Sequence, residues 1–277
     1  MKSKIIADSC CDLNPEIKKN VDIELVPLTM RIDDVEYVDD DSFNQADYIK
    51  AMKKSKHAPK TSCPSVNDFL ERLKEAKDTY IVTLSSKLSG TYNSAMQAKK
   101  MIQEEFSNKF IHVFDSKSAS VGETLISLKI NEFISQNLKK LEIVERVNEY
   151  INEMKTFFVL ESMDNLAKAG RLNPLIAKAA SILSIKPILG EENGKIRLVD
   201  KVRGHDRALR RMLDAIGDEG KKLEEKILGI AHCNCLQRAL DFKDKVLKKY
   251  RFKDVIIVDT AGISTTYAND GGLIIAF

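Results

Sequence analysis

The chain has 277 residues, 43% hydrophobic and 31% charged, enough for one large domain or two modest ones with a substantial apolar core. Its 44 basic and 41 acidic residues nearly cancel at +3, too weak a balance for nucleic acid as the main partner, which calls for a concentrated basic face. The opening Met1-Lys2-Ser3-Lys4 leads into only a short apolar run before Asp8, unlike a secretion signal, and no apolar stretch approaches the roughly 20 residues that span a bilayer, so a cytoplasmic location is expected.

In chain order, apolar runs predict strands over residues 4–7 and 23–30. Ser42 with Gln45 and Ser65 with Asp68 have capping-box spacing and start two helices. After Ser65, the residues Val66, Phe69, Leu70 and Leu73 recur at i, i+3, i+4 and i+7, which is one buried face. Strands follow over 80–84 and 110–114, and a charged helix over 141–154 closes the first half. The texture changes near Lys155, which predicts a domain boundary dividing 1–155 from 156–277. Beyond it come a strand over 157–160, a small-residue apolar helix over 175–185, and an extended segment over 186–203 whose Gly190 and Gly194 read as a hairpin. Helical repeats at Ala208, Leu209, Met212, Leu213 and Ile216, and at Ala239, Phe242, Val246 and Tyr250, alternate with strands over 227–231, 255–258 and 273–277. Near-continuous apolar strands between amphipathic helices predict an α/β fold of two domains, a mainly parallel sheet in the first and a smaller α/β unit in the second.

The sharpest local feature is Ser85-Ser86-Lys87-Leu88-Ser89-Gly90-Thr91-Tyr92, a hydroxyl-rich loop with one glycine between a strand and a helix. Free backbone N–H groups, O–H donors and the positive end of a helix dipole together favour an anion; ordinary capping by Ser89 or Thr91 explains the same residues. In Thr61-Ser62-Cys63-Pro64-Ser65, Pro64 and Ser65 start a helix and leave Thr61 free to point elsewhere, with a plain turn as the alternative. Parallel strands gather the loops at their carboxyl ends on one edge, so Asp8-Ser9, Asp115-Ser116 and Asp259-Thr260 join the same hydroxyl-lined rim.

Catalysis is hard to build from these groups. A serine nucleophile needs a base, and none of His57, His112, His205 and His232 sits in a nucleophile motif. No Gly-x-Ser-x-Gly, phosphate-loop or Gly-x-Gly-x-x-Gly pattern occurs. Five cysteines, odd in number and irregularly spaced, read as reduced thiols. His232 beside Cys233 and Cys235 lacks a second ligand pair at zinc-site spacing and reads as a strand end with soft side chains. Neither a metal nor a cofactor is expected.

Asp8-Ser9, Lys60-Thr61-Ser62-x-Pro64-Ser65, the Ser85–Tyr92 loop, Asp115-Ser116-x-Ser118-Ala119, Ala169-Gly170-Arg171, Lys186-Pro187-Ile188-Leu189 and Lys201-Val202-Arg203-Gly204 together resemble the DegV family, in order and from end to end. The resemblance implies a two-domain fold that buries one long-chain fatty acid in a tunnel between its domains. It implies a binding subunit, with no catalysis of its own, that presents the carboxylate to a separate fatty acid kinase for phosphorylation; the alternatives are a lipid-responsive binding protein without kinase coupling and an enzyme using the Ser89 loop as an anion cradle. Thr61 and Ser89 would hydrogen-bond the carboxylate, helped by the Gly90 backbone and the charge of Arg171; Ser9, Ser62, Thr91 and Ser116 are candidate rim residues. The family has a His-Thr-Gly-Pro-Gly type segment before its last strand; here Tyr267 stands at the histidine and Asp270 at the proline. A tyrosine can donate a hydrogen bond without the charge a histidine can carry, or can simply pack in the core. Ile176, Ala179, Ala180 and Leu183 are candidate tunnel residues, or a helix packed on a sheet. Arg203, Arg207 and Arg210 point outward, either as a solvated face or for docking to the kinase or, transiently, to an anionic membrane surface.

Overall fold

The computed structural model describes residues 3–75, 78–180 and 185–277. The first half runs β1 Lys4–Asp8, α1 Pro15–Asn20, β2 Ile23–Val26, β3 Thr29–Ile32, β4 Val35–Val38, α2 Gln45–Lys54, β5 Lys60–Ser62, α3 Val66–Glu75, β6 Asp78–Thr83, α4 Thr91–Glu105, β7 Phe110–Asp115, α5 Val121–Ser135 and α6 Lys140–Glu153. The second continues with β8 Thr156–Val159, α7 Asp164–Lys168, α8 Pro174–Ala180, β9 Ile185–Glu192, β10 Lys195–Arg203, α9 His205–Glu219, β11 Ile227–His232, α10 Leu236–Lys249, β12 Asp254–Asp259, α11 Gly262–Ala268 and β13 Leu273–Ala276.

Four parallel strands in the order β2-β1-β6-β7 form the first sheet. Both its faces are covered, which is why its strands are apolar almost throughout. Ile6 and Ile81 face Phe69, Leu73, Ala95 and Ile102 of α3 and α4 on one side. Ile5, Tyr80 and Val82 face Leu125 and Ile126 of α5 and Val147 of α6 on the other.

A six-stranded sheet, ordered β10-β9-β8-β13-β11-β12, fills the second half and is antiparallel except between β11 and β12. Its hairpin turns at Asn193 and Gly194, where φ values of 52° and 80° supply the left-handed backbone of a type I′ turn. The two sheets share a core through α5: Ile5 and Tyr80 fall in one apolar cluster with Ala231, Val258 and Ala276. Gly229 of β11 permits this contact, because a Cβ there would lie 2.4 Å from Val121 Cγ2.

The expected single strand over residues 23–30 is instead two strands of different sheets. Pro27, with no N–H to continue a ladder, interrupts the run. The chain leaves the first sheet after Val26 and re-forms as β3, flanked by β4 and β5 in a small antiparallel sheet. The segment expected as a hydroxyl loop at Thr61-Ser62 is therefore an edge strand, with Thr61 paired to Met30. The helix expected over 175–185 is described as far as Ala180, its remainder lying outside the described residues. Among the described residues no helix is long and apolar enough to cross a membrane.

Candidate functional site

A cavity of about 410 Å³ lies where the three sheets meet, within the usual size range of small-molecule pockets. Alternate residues of one strand face, Thr156 and Phe158 of β8 and then Leu160, form one wall. Ile274, paired with Phe158 across β13, extends it. Leu28, Leu84, Leu88 and Ala119 line it from the first half of the chain, and Ile263 and Ala268 from α11. The surface offered to a ligand is predominantly hydrocarbon.

One end carries hydroxyls. Thr61 on β5 and Tyr267 on α11 place their hydroxyl oxygens 2.8 Å apart. Ser89 stands beside them on the wall, its Oγ 2.9 Å from Thr91 Oγ1 and accepting the Thr91 amide at 3.3 Å. Gly90 precedes α4 and has no capping side chain of its own, so apart from the Thr91 amide held by Ser89 the positive end of this 15-residue helix faces the same region. Arg171 also lines the cavity; its Nε donates to the Leu88 carbonyl at 3.1 Å and its Nη1 to the Ala169 carbonyl at 2.6 Å. It thus ties the segment after α7 to the Ser89 loop while keeping other N–H donors.

Buried and half-buried carboxylates hold these loops in place. Asp8 accepts the amides of Leu84 at 2.8 Å and Cys10 at 3.0 Å. Asp115 accepts Ser86 through its amide at 3.0 Å and its hydroxyl at 2.5 Å. Asp39 accepts the amides of Gly262 at 2.5 Å and Ile263 at 3.0 Å, fixing the first turn of α11 and so the helix that bears Tyr267.

Several other expected site residues lie apart from the cavity wall. Ser9 is buried, donating to Asp39 at 2.9 Å and accepting the Leu28 amide at 3.0 Å; it knits strands together. The Ser116 hydroxyl closes a local turn onto Ser118, donating to its carbonyl at 3.1 Å and accepting its amide at 3.0 Å. Thr91 is buried behind Ser89, whereas Ser62 is exposed and on the wall. Ile176 packs in a cluster with Leu160, Met163, Leu166 and Leu172 and is absent from the wall. Ala179 and Ala180 are helical, but their side chains, and Leu183 altogether, lie outside the described residues. Arg203, Arg207 and Arg210 are exposed on β10 and α9, whose apolar residues Ala208, Leu209 and Met212 are buried. Cys233 is buried with Leu160 and Leu166, and Cys235 Sγ faces the Gly272 carbonyl at 3.5 Å.

Sequence reasoning passed over Lys117, Ser118 and Ser120 as wall residues. Lys117 and Ser120 have φ of 53° and 58°, a conformation that ordinary side chains occupy at some cost and that often marks a ligand-shaping loop. No histidine stands on the wall among the described residues, and the Ser89 hydroxyl is bonded to another hydroxyl. The arrangement can seat an anion and an apolar chain.

The DegV family model, described as uncharacterised protein, DegV family, matches residues 2–277. A DegV domain-containing protein of Streptococcus gordonii is 34% identical over 281 residues, covering 100% of this chain and 99% of that protein. A DegV family protein of Ruminococcus gnavus, solved with vaccenic acid, superposes with a TM-score of 0.96 at 44% identity, covering 99% of each chain. The Fatty Acid Kinase (Fak) B3 protein of Streptococcus pneumoniae, loaded with linoleic acid, superposes at 0.93 with 33% identity, covering 100% of this chain and 99% of that one.

Proposed function

The chain belongs to the DegV family, and we propose that it binds one long-chain fatty acid in the apolar cavity, with the carboxylate at the Thr61, Ser89 and Tyr267 hydroxyls. The observation that carries this reading is the cavity's division into a hydrocarbon wall and a hydroxyl-bearing end beside Arg171. The acids held by the Ruminococcus gnavus and Streptococcus pneumoniae proteins agree with it. In this reading the Gly90 amide and the free N–H groups of Arg171 add to the carboxylate contacts. On the same reading, residues 1–155 supply the Thr61 and Ser89 head-group loops, 156–277 supply Arg171 and Tyr267, and both parts line the acyl chain.

Magnitudes assign the affinity to the tail. A C16 chain has about 14 methylenes, which at ~0.8 kcal/mol each contribute up to ~11 kcal/mol before ordering costs. Hydrogen bonds to a charged carboxylate contribute ~1.5–3 kcal/mol apiece, in exchange for bonds to water. The hydroxyls therefore set which end faces outward more than how tightly the lipid is held.

The protein acts as a cytoplasmic carrier, and a separate kinase supplies the chemistry by phosphorylating the presented carboxylate. The kinase name of the Streptococcus pneumoniae relative supports this partner. Arg203, Arg207 and Arg210 form its docking face, which also allows transient contact with an anionic membrane surface. Lipid binding without kinase coupling is the second reading, favoured by Tyr267 at the family's histidine position and by its engagement with Thr61. Native mass spectrometry of the purified protein, followed by denaturing extraction, tests the ligand class. A single released long-chain fatty acid per chain is expected; a folded protein that neither carries nor takes up such an acid contradicts the proposal. Incubation with kinase and ATP then separates the two readings by the formation of acyl phosphate.

A further inference from the structure

Helix α11 brings Ile263, Ser264, Tyr267 and Ala268 to the cavity wall, and two buried acids hold its start. Asp12 Oδ1 accepts the Ala261 amide at 2.6 Å. Asp39 accepts the Gly262 amide at Oδ1, 2.5 Å, and the Ile263 amide at Oδ2, 3.0 Å. A Cβ at Gly262 would lie 2.7 Å from Asp39 Oδ1, so this approach needs the glycine. Asp39 is itself fixed to the first half of the chain. Its amide donates to the Leu28 carbonyl at 3.0 Å, and Ser9 Oγ donates to its Oδ2 at 2.9 Å. Near its other end α11 meets Thr61 through the Tyr267 hydroxyl. The head-group tyrosine therefore stands on a helix whose start is set by two carboxylates.

The partners of both acids are donors. Asp39 receives two amides and the Ser9 hydroxyl, whose oxygen already accepts the Leu28 amide at 3.0 Å. Asp12 receives the Ala261 amide and, at 2.5 Å, the Ser120 hydroxyl. A carboxylate can accept from all of them, whereas the protonated acid brings an O–H of its own and must displace one. The surroundings supply no counter-charge. Asp8, Asp12, Asp40 and Tyr48 face Asp39; Cys10, Cys11 and Glu123 of α5 face Asp12; and no ion pair reaches either acid among the described residues. Burial raises Asp39 to about 6 and Asp12 to about 7, so both take up protons as the solution turns mildly acidic. Proton uptake relieves the burial of charge and costs α11 an amide contact. The other side-chain ties of α11, Tyr48 to Thr266 at 2.7 Å and Gln45 to Thr265 at 3.2 Å, join neutral groups that do not titrate in this range.

We propose that Asp39 and Asp12 are positioning residues of the head-group site: as carboxylates they set α11, and with it Tyr267, to hold the fatty-acid carboxylate, and proton uptake by the pair loosens that hold, so that fatty-acid binding weakens on acidification. The proposal rests on the fatty-acid reading above, and its test is arranged so that the two can fail separately. The affinity of the full chain for palmitic acid is measured by isothermal titration at pH 7.5, 6.5 and 5.5. If only the ionised clamp binds well, the competent fraction set by Asp39 alone drops about fourfold across this interval, and Asp12 adds to it. The native affinity should therefore fall at least fourfold. Asp39→Asn and Asp12→Asn keep one acceptor oxygen and cannot ionise, so each should bind at least fourfold more weakly than the native chain at pH 7.5 and lose affinity less steeply below it. Should neither variant fold, hydrogen exchange in the native chain carries the test. Protection of the Gly262 and Ile263 amides, corrected for intrinsic rate and referred to β1, should weaken between pH 7.5 and 5.5, and constant protection overturns the proposal. A slope as steep in both folded variants as in the native chain assigns the effect to the ligand's own carboxyl and overturns it too. Native affinity that holds or rises on acidification overturns the clamp and leaves the fatty-acid reading standing. Failure of palmitic acid to bind at any pH overturns that reading and the clamp with it.

Discussion

The hydroxyl oxygens of Thr61 and Tyr267 lie 2.8 Å apart although 206 residues separate them in the chain. The bond joins the edge strand of the small sheet to the helix before the last strand, across the polar end of the cavity. Tyr267→Phe removes one donor and leaves Thr61 free. Thermal unfolding should show a loss of about 0.5–1.5 kcal/mol, the usual net worth of one hydrogen bond. Isothermal titration with palmitic acid should show affinity reduced by about tenfold. A loss beyond a hundredfold from a folded variant would mean that the head group, rather than the tail, dominates binding.

Ser89→Ala separates orientation from retention. Its Oγ contacts Thr91 through both hydroxyl and amide, so the change costs a local cap worth ~1 kcal/mol and leaves the fold intact. Fatty acid should still co-purify, with affinity lowered about 10- to 100-fold and transfer to a kinase lowered further. Complete loss of lipid from the folded variant would contradict the assignment of affinity to the tail.

Ala119 lines the cavity and is only partly buried, leaving room for a longer side chain. Ala119→Met adds about three heavy atoms in a flexible chain that fills irregular space. Extracted lipids should shift toward acids shorter by about two to four carbons, measured by mass spectrometry against the native profile. An unchanged distribution would place the acyl chain elsewhere in the cavity.

The first sheet was legible because strands covered on both faces must be apolar on both, and the runs at β1, β6 and β7 are. The small sheet was not. Residues Val35–Val38 are largely exposed and Lys60–Ser62 spans three polar residues, so neither has the apolar signature of a strand. Residue chemistry pointed to the Ser85–Tyr92 loop as an anion site and to Thr61 as free of its turn, and the motif resemblance drew in Ser89, Arg171 and Tyr267 as carboxylate contacts. Ser118 and Thr156 were hidden because a hydroxyl in a turn or at a strand start reads the same whether it caps backbone or faces a ligand. The neighbouring positive φ values at Lys117 and Ser120 were the missing signal, and backbone angles are not written in residue types. Ser9 and Ser116 illustrate the converse: they stand at carboxyl ends of strands, but backbone groups and Asp39 claim their hydroxyls.

Arg207 and Arg210 are exposed on α9 and absent from the cavity wall. Reversing both to Glu should change fold stability by no more than about 0.5 kcal/mol and leave the carried lipid unchanged, as expected of surface sites. If this face docks an acidic kinase, the rate of acyl phosphate formation should fall at least tenfold, and its dependence on salt should weaken. Unaltered transfer would assign these arginines to solvent.

A group of buried acids makes stability depend on pH in an unusual direction. Burial pushes Asp8 and Asp12 up to about 7 and Asp39 to about 6, and Glu123 goes well above the usual carboxylate range. Ligand atoms of Asp8, Cys10 and Glu123 lie within 4.8 Å of one another, so ionisation of one carboxyl opposes that of the next. An acid with a raised folded pKa binds more proton in the folded state, so stability falls as pH rises from its unfolded value through its folded one. His112, held down to about 4 by burial, acts oppositely below pH 6.5, as do His205 and His232, whose values burial also lowers. The acids therefore act without that opposition between about pH 6.5 and 8. There stability should fall as pH rises, by about 1.4 kcal/mol per pH unit for each carboxyl that stays protonated in the folded chain. Glu123→Gln keeps the shape but removes the proton, so calorimetry from pH 6.5 to 8 should give a flatter decline in Tm than in the native chain. A native Tm that rises across this interval would show that these carboxylates are already ionised in the folded protein.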